Sequence, residues 1–252
     1  MAVPQTSDIL REVIFAPLEH GGRTQVIFDR LRNAVALDVF KDGEQLPPET
    51  ELAAQLGISP VTLRDALGLM RDAGLVETRR GRTGGSFVRR TGYDPVAHGS
   101  SQLADMSLVD LRDLSDWRIA VAESAVGLAA ERASDDEIHA MAPHVEEFAV
   151  ATDPVTARRA EGRLHIAMAA ASQSVRLTRA TVAGVIDYGP LLTVAYRDVR
   201  LRARVARCHE SLLSAVTDGR REHAALAVRE AGADVAMVLA AEKSQSGRRS
   251  RT

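Results

Sequence analysis

Glu161 and His165 are the two residues whose spacing points most directly to chemistry. They stand four residues apart in the run EGRLH at 161–165. On a helix, this spacing places a carboxylate and an imidazole on one face, where both can bind a single metal ion. The alternative interpretation is a histidine of the core or of a pocket, hydrogen-bonded to its neighbours.

A second set of residues is suited to DNA. Gly57 stands where a helix ends in the left-handed conformation, Ser59 is a good N-cap, and Pro60 follows at the first helical position. Two short helices joined by 57–59 form a helix-turn-helix, whose second helix fits the major groove. The residues expected to contact DNA from this helix are Ser59, Thr62, Arg64 and Arg71. The alternative is that the two helices only pack into a core.

A basic hairpin follows the second helix. Residues 75–78 and 86–89 are predicted as short strands, and the turn at 79–85 is rich in glycine. The arginines of this turn suit phosphates or a narrow minor groove. They are Arg79, Arg80 and Arg82. The other possibility for such a cluster is a solvated loop.

The elements that must position these residues are mostly helical. Helical periodicity is expected at 23–40, at 49–56 and from Ser107 onward, with helix starts at Ser134 and Asp153. Breaks are predicted near 152, 189–190 and 218–219. The sequence therefore predicts a mainly α fold: an N-terminal winged helix-turn-helix followed by an antiparallel bundle of six or seven helices. The predicted boundaries are an arm at 1–22, a winged helix-turn-helix at 23–90, a linker at 91–106, a helical domain at 107–243 and a disordered tail at 244–252.

The composition indicates the class of protein and the compartment to expect. The 252 residues are 45% hydrophobic and 26% charged, with a net charge of −2, which is ordinary for a globular protein. No apolar run is long enough for a membrane span, and the N-terminus lacks the pattern of a secretory signal. Cys208, the single cysteine, fits a reducing compartment. We therefore expect a cytoplasmic protein without a membrane partner.

Residues 25–88 resemble the DNA-binding domain of the GntR family. The stretches that carry the resemblance are GEQLPPETELA at 43–53, LGIS at 56–59, LRDAL at 63–67 and GLVE at 74–77. The helical half resembles the ligand-binding FCD domain of the FadR branch, so that the likeness spans about 23–242. This family usually has an arginine directly after the serine of the turn, where this chain has Pro60, so Arg64 carries more of the expected DNA contact.

The resemblance also implies a metal site and an effector site. Many members of this branch bind a divalent metal through an Asp-x-x-x-His pair and two further histidines. Glu161, His165 and His209 match three of these ligands, and the fourth falls near Ala231. Three ligands together with water or an effector carboxylate suit Zn, Ni or Mn. Arg118 matches an arginine that often opens the first long helix, and it would pair either with an effector carboxylate or in a structural ion pair.

These observations predict a sequence-specific transcriptional regulator, a repressor or an activator, rather than an enzyme. Its partners would be double-stranded operator DNA, a small effector that is a carboxylate, and a second copy in a homodimer, because one recognition helix makes few base contacts. Two alternatives stay open at this point. One is a metal-dependent enzyme built on the helical domain, and the other is a DNA-binding protein without an effector.

Overall fold

The computed structural model describes residues 24–36, 39–81, 84–89 and 94–249, which form two compact units divided after Asp94. The predicted arm at 1–22 lies outside the described residues. The described residues of the first unit form three helices and one hairpin. Their bounds are α1 (Thr24–Ala36), α2 (Glu49–Leu56), α3 (Pro60–Asp72), β1 (Val76–Arg79) and β2 (Gly85–Val88).

The turn between α2 and α3 forms as the sequence predicts. Gly57 has φ of 66°, a left-handed conformation that glycine adopts without a Cβ penalty, and its N–H bonds to carbonyls of the last turn of α2. The hydroxyl of Ser59 accepts a hydrogen bond from the N–H of Thr62, and Pro60 is the first residue of α3. A cap of this kind stabilises a helix by about 1 kcal/mol.

The hairpin pairs antiparallel, with Val76 opposite Val88 and Arg79 opposite Gly85. Residues 43–46 extend it on the other side of β2, because the N–H of Leu46 bonds to the carbonyl of Ser86 at 2.8 Å. The prediction of a winged helix-turn-helix is therefore confirmed. Apolar side chains from all three helices close its core; they include Ile27, Leu31, Leu52, Leu56, Leu63 and Leu67.

The second unit consists of seven helices. Ser107 and Ser134 each cap a helix in a capping box, and Asp153 caps the next helix ahead of Pro154, so these predicted starts are confirmed. The helices are α4 (Pro95–Asp105), α5 (Leu108–Arg132), α6 (Asp135–Ala149), α7 (Pro154–Ala171), α8 (Val175–Ala195), α9 (Val199–Thr217) and α10 (Arg221–Arg249).

Three sequence predictions are wrong in this unit. The expected linker at 91–106 is helical over Pro95–Asp105, where α4 packs against α8. A Cβ at Gly99 would overlap the carbonyl oxygen of Pro190, so this glycine allows close helix packing rather than flexibility. The predicted break at 189–190 lies inside α8, and the predicted disordered tail at 244–252 is helical through Arg249.

Helix α7 lies in the middle of this unit. This helix contacts α5, α6 and α8, and most of its residues are buried, with polar groups among them. A helix that is buried on nearly all sides carries any polar residue into the core. Two apolar clusters flank this helix, one around Tyr188 and Tyr196 and the other around Met141 and Met168. Within the described residues, no helix has the length and apolar character needed to cross a membrane.

Candidate functional site

The outer face of α3 presents the predicted recognition residues. Arg64 is exposed, and its Nε lies 3.4 Å from a carboxylate oxygen of Glu49, whose side chain is also exposed. An exposed ion pair of this length is weak, so Arg64 can leave it for another partner at little cost. The exposure of Arg64 agrees with a helix whose opposite face, including Leu63 and Leu67, is buried in the core.

The start and the end of α3 carry the other predicted DNA contacts of this helix. The hydroxyls of Ser59 and Thr62 lie 2.7 Å apart at the N-terminus, where free backbone N–H groups favour an anion. Arg71 is exposed in the last turn, and one of its guanidinium nitrogens lies 3.5 Å from the hydroxyl of Thr78 on β1. The helix end and the hairpin are therefore adjacent.

The hairpin arginines are held by an acid that the sequence analysis gave no role. Glu77 forms ion pairs with Arg79 at 2.6 Å and with Arg89 at 2.8 Å, and these hydrogen bonds, the one to Arg79 foremost, lower the pKa of its carboxyl group. The Arg79 guanidinium also lies 4.2 Å from the ring centre of Phe87. Arg80 is exposed, while Arg82 lies outside the described residues.

The second unit brings Glu161, His165 and His209 together. Glu161 and His165 lie one turn apart on α7, and His209 reaches them from α9. Each offers a ligand atom, and these atoms all lie within 4.8 Å of one another. All three residues are buried, with exposed fractions of 2%, 7% and 1% in that order. The spacing on α7 predicted the first pair, whereas only the family resemblance pointed to His209.

Glu161 already has a partner on each carboxylate oxygen. A guanidinium nitrogen of Arg118, in the middle of α5, donates to Oε1 at 2.5 Å, and the hydroxyl of Tyr196 donates to Oε2. Arg118 therefore forms the ion pair that was one of its two expected roles, and it lies well inside its helix rather than at its start. Tyr196, at the end of α8, was missed because no spacing in the sequence links it to α7.

The electrostatics of the site keep both histidines neutral. Burial lowers the pKa of His165 to about 3, with a further contribution from Arg118. Burial likewise lowers the pKa of His209 to about 4. Burial raises the pKa of Glu161, but the charge of Arg118 and the hydrogen bond from Tyr196 lower it, so the net shift is downward and the carboxyl group is ionised. Neutral imidazoles and a carboxylate are the forms that bind metals.

The strongest sign that these side chains suit a divalent metal comes from His209. Neither ring nitrogen of His209 has a hydrogen-bond partner among the described residues, although both are buried. Such a group is destabilising unless something binds it. Ala231, where the family resemblance implies a further histidine, is buried on α10 and offers no ligand atom. A metal here would therefore have three protein ligands and open positions.

A small pocket adjoins this cluster. Its lining residues include Arg118, His165, Trp117, Thr181 and Gly184. Its free space is about that of one water molecule. This pocket was not predictable from the sequence, because α5 and α8 supply most of its wall without any shared spacing pattern.

Comparison with known proteins agrees with both units. Residues 23–88 match the description "Bacterial regulatory proteins, gntR family", and residues 113–232 match the FCD domain. The chain thus combines a DNA-binding domain of the gntR type with an FCD domain. In this arrangement the winged helix-turn-helix precedes the helical FCD domain.

Individual relatives carry regulatory names. The chain is 35% identical over 169 residues to the HTH-type transcriptional regulator RmpR of Mycobacterium gastri, covering 67% of this chain and 62% of the relative. It is 30% identical to an L-lactate dehydrogenase operon regulatory protein of Escherichia coli strain K12, covering 64% and 62%. The chain thus spans less than two thirds of the length of these relatives.

A solved structure shares the fold. The GntR family member from Pseudomonas syringae pv. tomato has a TM-score of 0.51 and 20% identity, covering 98% of this chain and 97% of that one. The names of the two relatives describe regulators, so they do not favour the enzyme alternative.

Proposed function

We propose that this protein is a sequence-specific transcriptional regulator that binds operator DNA as a homodimer and is controlled by a small carboxylate in its helical unit. The observation that supports this most is the exposed recognition helix beside a basic hairpin, with Arg64 free to leave Glu49. A recognition helix reads base edges, while hairpin arginines bind phosphates. A cytoplasmic location follows for a protein that acts on DNA in a bacterium.

Each predicted DNA contact has a distinct part in this proposal. Arg64 binds guanine edges or a phosphate in the major groove. The start of α3, with Ser59 and Thr62, binds a phosphate through hydroxyl and backbone N–H groups. Arg71 and the hairpin arginines, Arg79, Arg80 and Arg82, bind the backbone next to the groove. Two copies would place two such helices on a two-fold symmetric site.

Replacing Arg64 tests the DNA part of the proposal. The probe is a duplex enriched by the wild-type protein from a random-sequence pool, with a scrambled duplex for comparison. Arg64→Ala should weaken binding to the enriched duplex by about fivefold to 150-fold, because one base-reading arginine contributes about 1–3 kcal/mol. Binding to the scrambled duplex should change little. Arg176→Ala removes an exposed arginine at the start of α8 and should leave both affinities unchanged. Equal affinity of Arg64→Ala and wild type for the enriched duplex would refute this role.

For the helical unit we propose that Glu161, His165 and His209 bind a divalent metal, Zn, Ni or Mn. The metal would supply a positive centre that attracts an anionic effector. Arg118 orients Glu161 through the 2.5 Å contact and adds a second positive charge beside the pocket. His165 and His209 are neutral and need no proton release in order to bind the metal.

Metal content tests this site directly. Protein incubated with ZnCl2 and then desalted should retain about one zinc per chain by elemental analysis. His209→Ala and His165→Ala should each reduce zinc affinity by about tenfold or more, measured by competition with a chromophoric chelator. His139→Ala is the matched control, since His139 is exposed and outside the cluster. Zinc retention that is insensitive to both cluster variants would rule the site out.

A further inference from the structure

We infer that Thr181 is the residue that selects the effector, by hydrogen-bonding a hydroxyl group of a small 2-hydroxy acid in the pocket next to the histidine cluster. This inference rests on the proposed control by a carboxylate, and it specifies which functional group of the effector the pocket recognises. Thr181 lies on α8, is 7% exposed, and lines the pocket together with Arg118 and His165.

The hydroxyl of Thr181 has no hydrogen-bond partner among the described residues, and its oxygen is buried. Threonines in helices usually satisfy their hydroxyl on a carbonyl one turn earlier. Thr178, Thr193 and Thr217 all bond to backbone carbonyls in this way. Thr181 does not, although it lies on the same helix as Thr178. Leaving a buried hydroxyl without a partner is destabilising, which indicates that a ligand group completes it.

The rest of the pocket defines what that ligand can be. Apart from Arg118, His165 and Thr181, the wall is largely apolar, including Val121 and Val185. The wall therefore suits a short aliphatic skeleton with a carboxylate toward Arg118. A hydroxyl group both donates and accepts, so a ligand hydroxyl can use both capacities of the Thr181 hydroxyl, while a keto oxygen only accepts.

Trp117 lines the pocket at the protein surface. Its indole ring lies against Gly184, where an added Cβ would come within 3.1 Å of it, and the residue is 39% exposed. The pocket has room for only about one water-sized group, so an organic acid can enter only if the wall moves, and the partly exposed Trp117 side chain can move toward solvent. Trp117 is the single tryptophan of the chain, and its fluorescence therefore reports on this pocket alone.

The experiment titrates full-length protein, with and without ZnCl2, with two pairs of acids that differ by one hydroxyl: lactate against propionate, and malate against succinate. Tryptophan fluorescence gives the affinities. In wild type the hydroxy acid of at least one pair should bind about fivefold or more tightly than its partner, the effect of one hydrogen bond. Thr181→Val should bring that ratio close to one, and Thr181→Ser, which keeps the hydroxyl, should preserve it.

Two controls keep the test sharp. Thr178→Val removes a hydroxyl one turn away that already bonds to backbone, and it should leave the ratio unchanged. Thr181→Val should melt at or above the wild-type temperature, because it removes an unsatisfied polar group. A clear drop in its melting temperature would show that the hydroxyl has a structural role and would overturn the inference.

The remaining outcomes separate this inference from the proposed function. No fluorescence response to any of the four acids, or a wild-type ratio near one for both pairs, overturns the role of Thr181. A ratio that is retained in Thr181→Val does the same. If the hydroxy acids bind in a manner that depends on Thr181 but leave the affinity for the enriched duplex unchanged, effector control fails while the Thr181 contact stands.

Discussion

His209 is buried in the helical unit, and neither of its ring nitrogens has a hydrogen-bond partner among the described residues. Its ring lies edge-on to Phe148, with 4.5 Å between centroids, so its surroundings are apolar on that side. His165 is similarly enclosed beside Arg118. Two neutral imidazoles in such a setting make the metal-free protein sensitive to acid.

The pH dependence of stability follows from the two pKa values. An unfolded histidine binds a proton near pH 6.5, whereas the folded pKa is about 3 for His165 and about 4 for His209. Between these limits the unfolded chain holds more protons, so the free energy of unfolding falls as the pH falls below about 6.5. The slope approaches about 1.4 kcal/mol per pH unit for each histidine.

Urea unfolding of EDTA-treated protein between about pH 5 and pH 7 measures this slope. His209→Gln should make it shallower, because one titrating group is removed, while His139→Gln should leave it as in wild type. An identical slope in His209→Gln and wild type would contradict a neutral, buried His209. The comparison of slopes is independent of any general loss of stability that the variant suffers.

At the scale of elements, a carboxylate of the hairpin forms ion pairs with two arginines of the same hairpin region. Glu77 binds Arg79 and Arg89 on opposite carboxylate oxygens. DNA phosphates must therefore compete with a carboxylate for the same guanidinium groups. All three side chains are at least partly exposed, so their mutual attraction is screened and the exchange is feasible.

Glu77→Gln should increase the affinity for non-specific duplex DNA severalfold and steepen its dependence on salt by up to about one unit in the log–log slope. The physical reason is that two arginines lose their competing anion and can release further DNA counterions. Fluorescence anisotropy over a series of salt concentrations measures both quantities. Glu222→Gln, the same change at an exposed position on α10, serves as the control. Weaker non-specific binding in Glu77→Gln would mean that Glu77 instead holds the arginines in their DNA-binding positions.

Helix starts and turns were predictable from the sequence where neighbouring residues determine the backbone conformation. Gly57 and Ser59 fixed the turn ahead of the recognition helix, and the serine caps at 107 and 134 marked two helix starts. The prediction failed for α4, because a glycine needed for close approach to Pro190 looks the same in sequence as one in a flexible linker. The helix break expected at Pro190 is also absent, because the packed helix α8 continues through this proline.

The residues of the candidate site were likewise predictable only where they lie on a single helix. Glu161 and His165 were predictable because their four-residue spacing is a property of a single helix. Tyr196 and Thr181 were not, because their importance depends on which side chains of α5 and α7 face α8 in the packed unit. Contacts between helices that are distant in sequence leave no spacing pattern in a single chain.

At the scale of the whole molecule, the proposed regulator has a DNA-binding unit and an effector-binding unit on one chain. A small acid can control the DNA affinity only if it binds the free and the DNA-bound protein with different affinities. The two binding events are then linked by one coupling free energy, typically about 1–3 kcal/mol, which changes each affinity about fivefold to 150-fold.

Thermodynamic linkage gives a prediction about the intact protein that can be checked from both sides. The factor by which saturating lactate or malate changes the affinity for the enriched duplex must equal the factor by which saturating duplex changes the affinity for that acid. Anisotropy of labelled duplex measures the first factor, and Trp117 fluorescence measures the second. Arg64→Ala, tested at a duplex concentration that saturates the wild type but lies well below the Kd of the variant, should show little effect of that duplex on acid affinity. Should the acid change DNA binding while saturating duplex leaves the acid affinity unaltered, the acid would be acting through ionic strength or on the DNA, because equilibrium coupling within one protein cannot operate in one direction only.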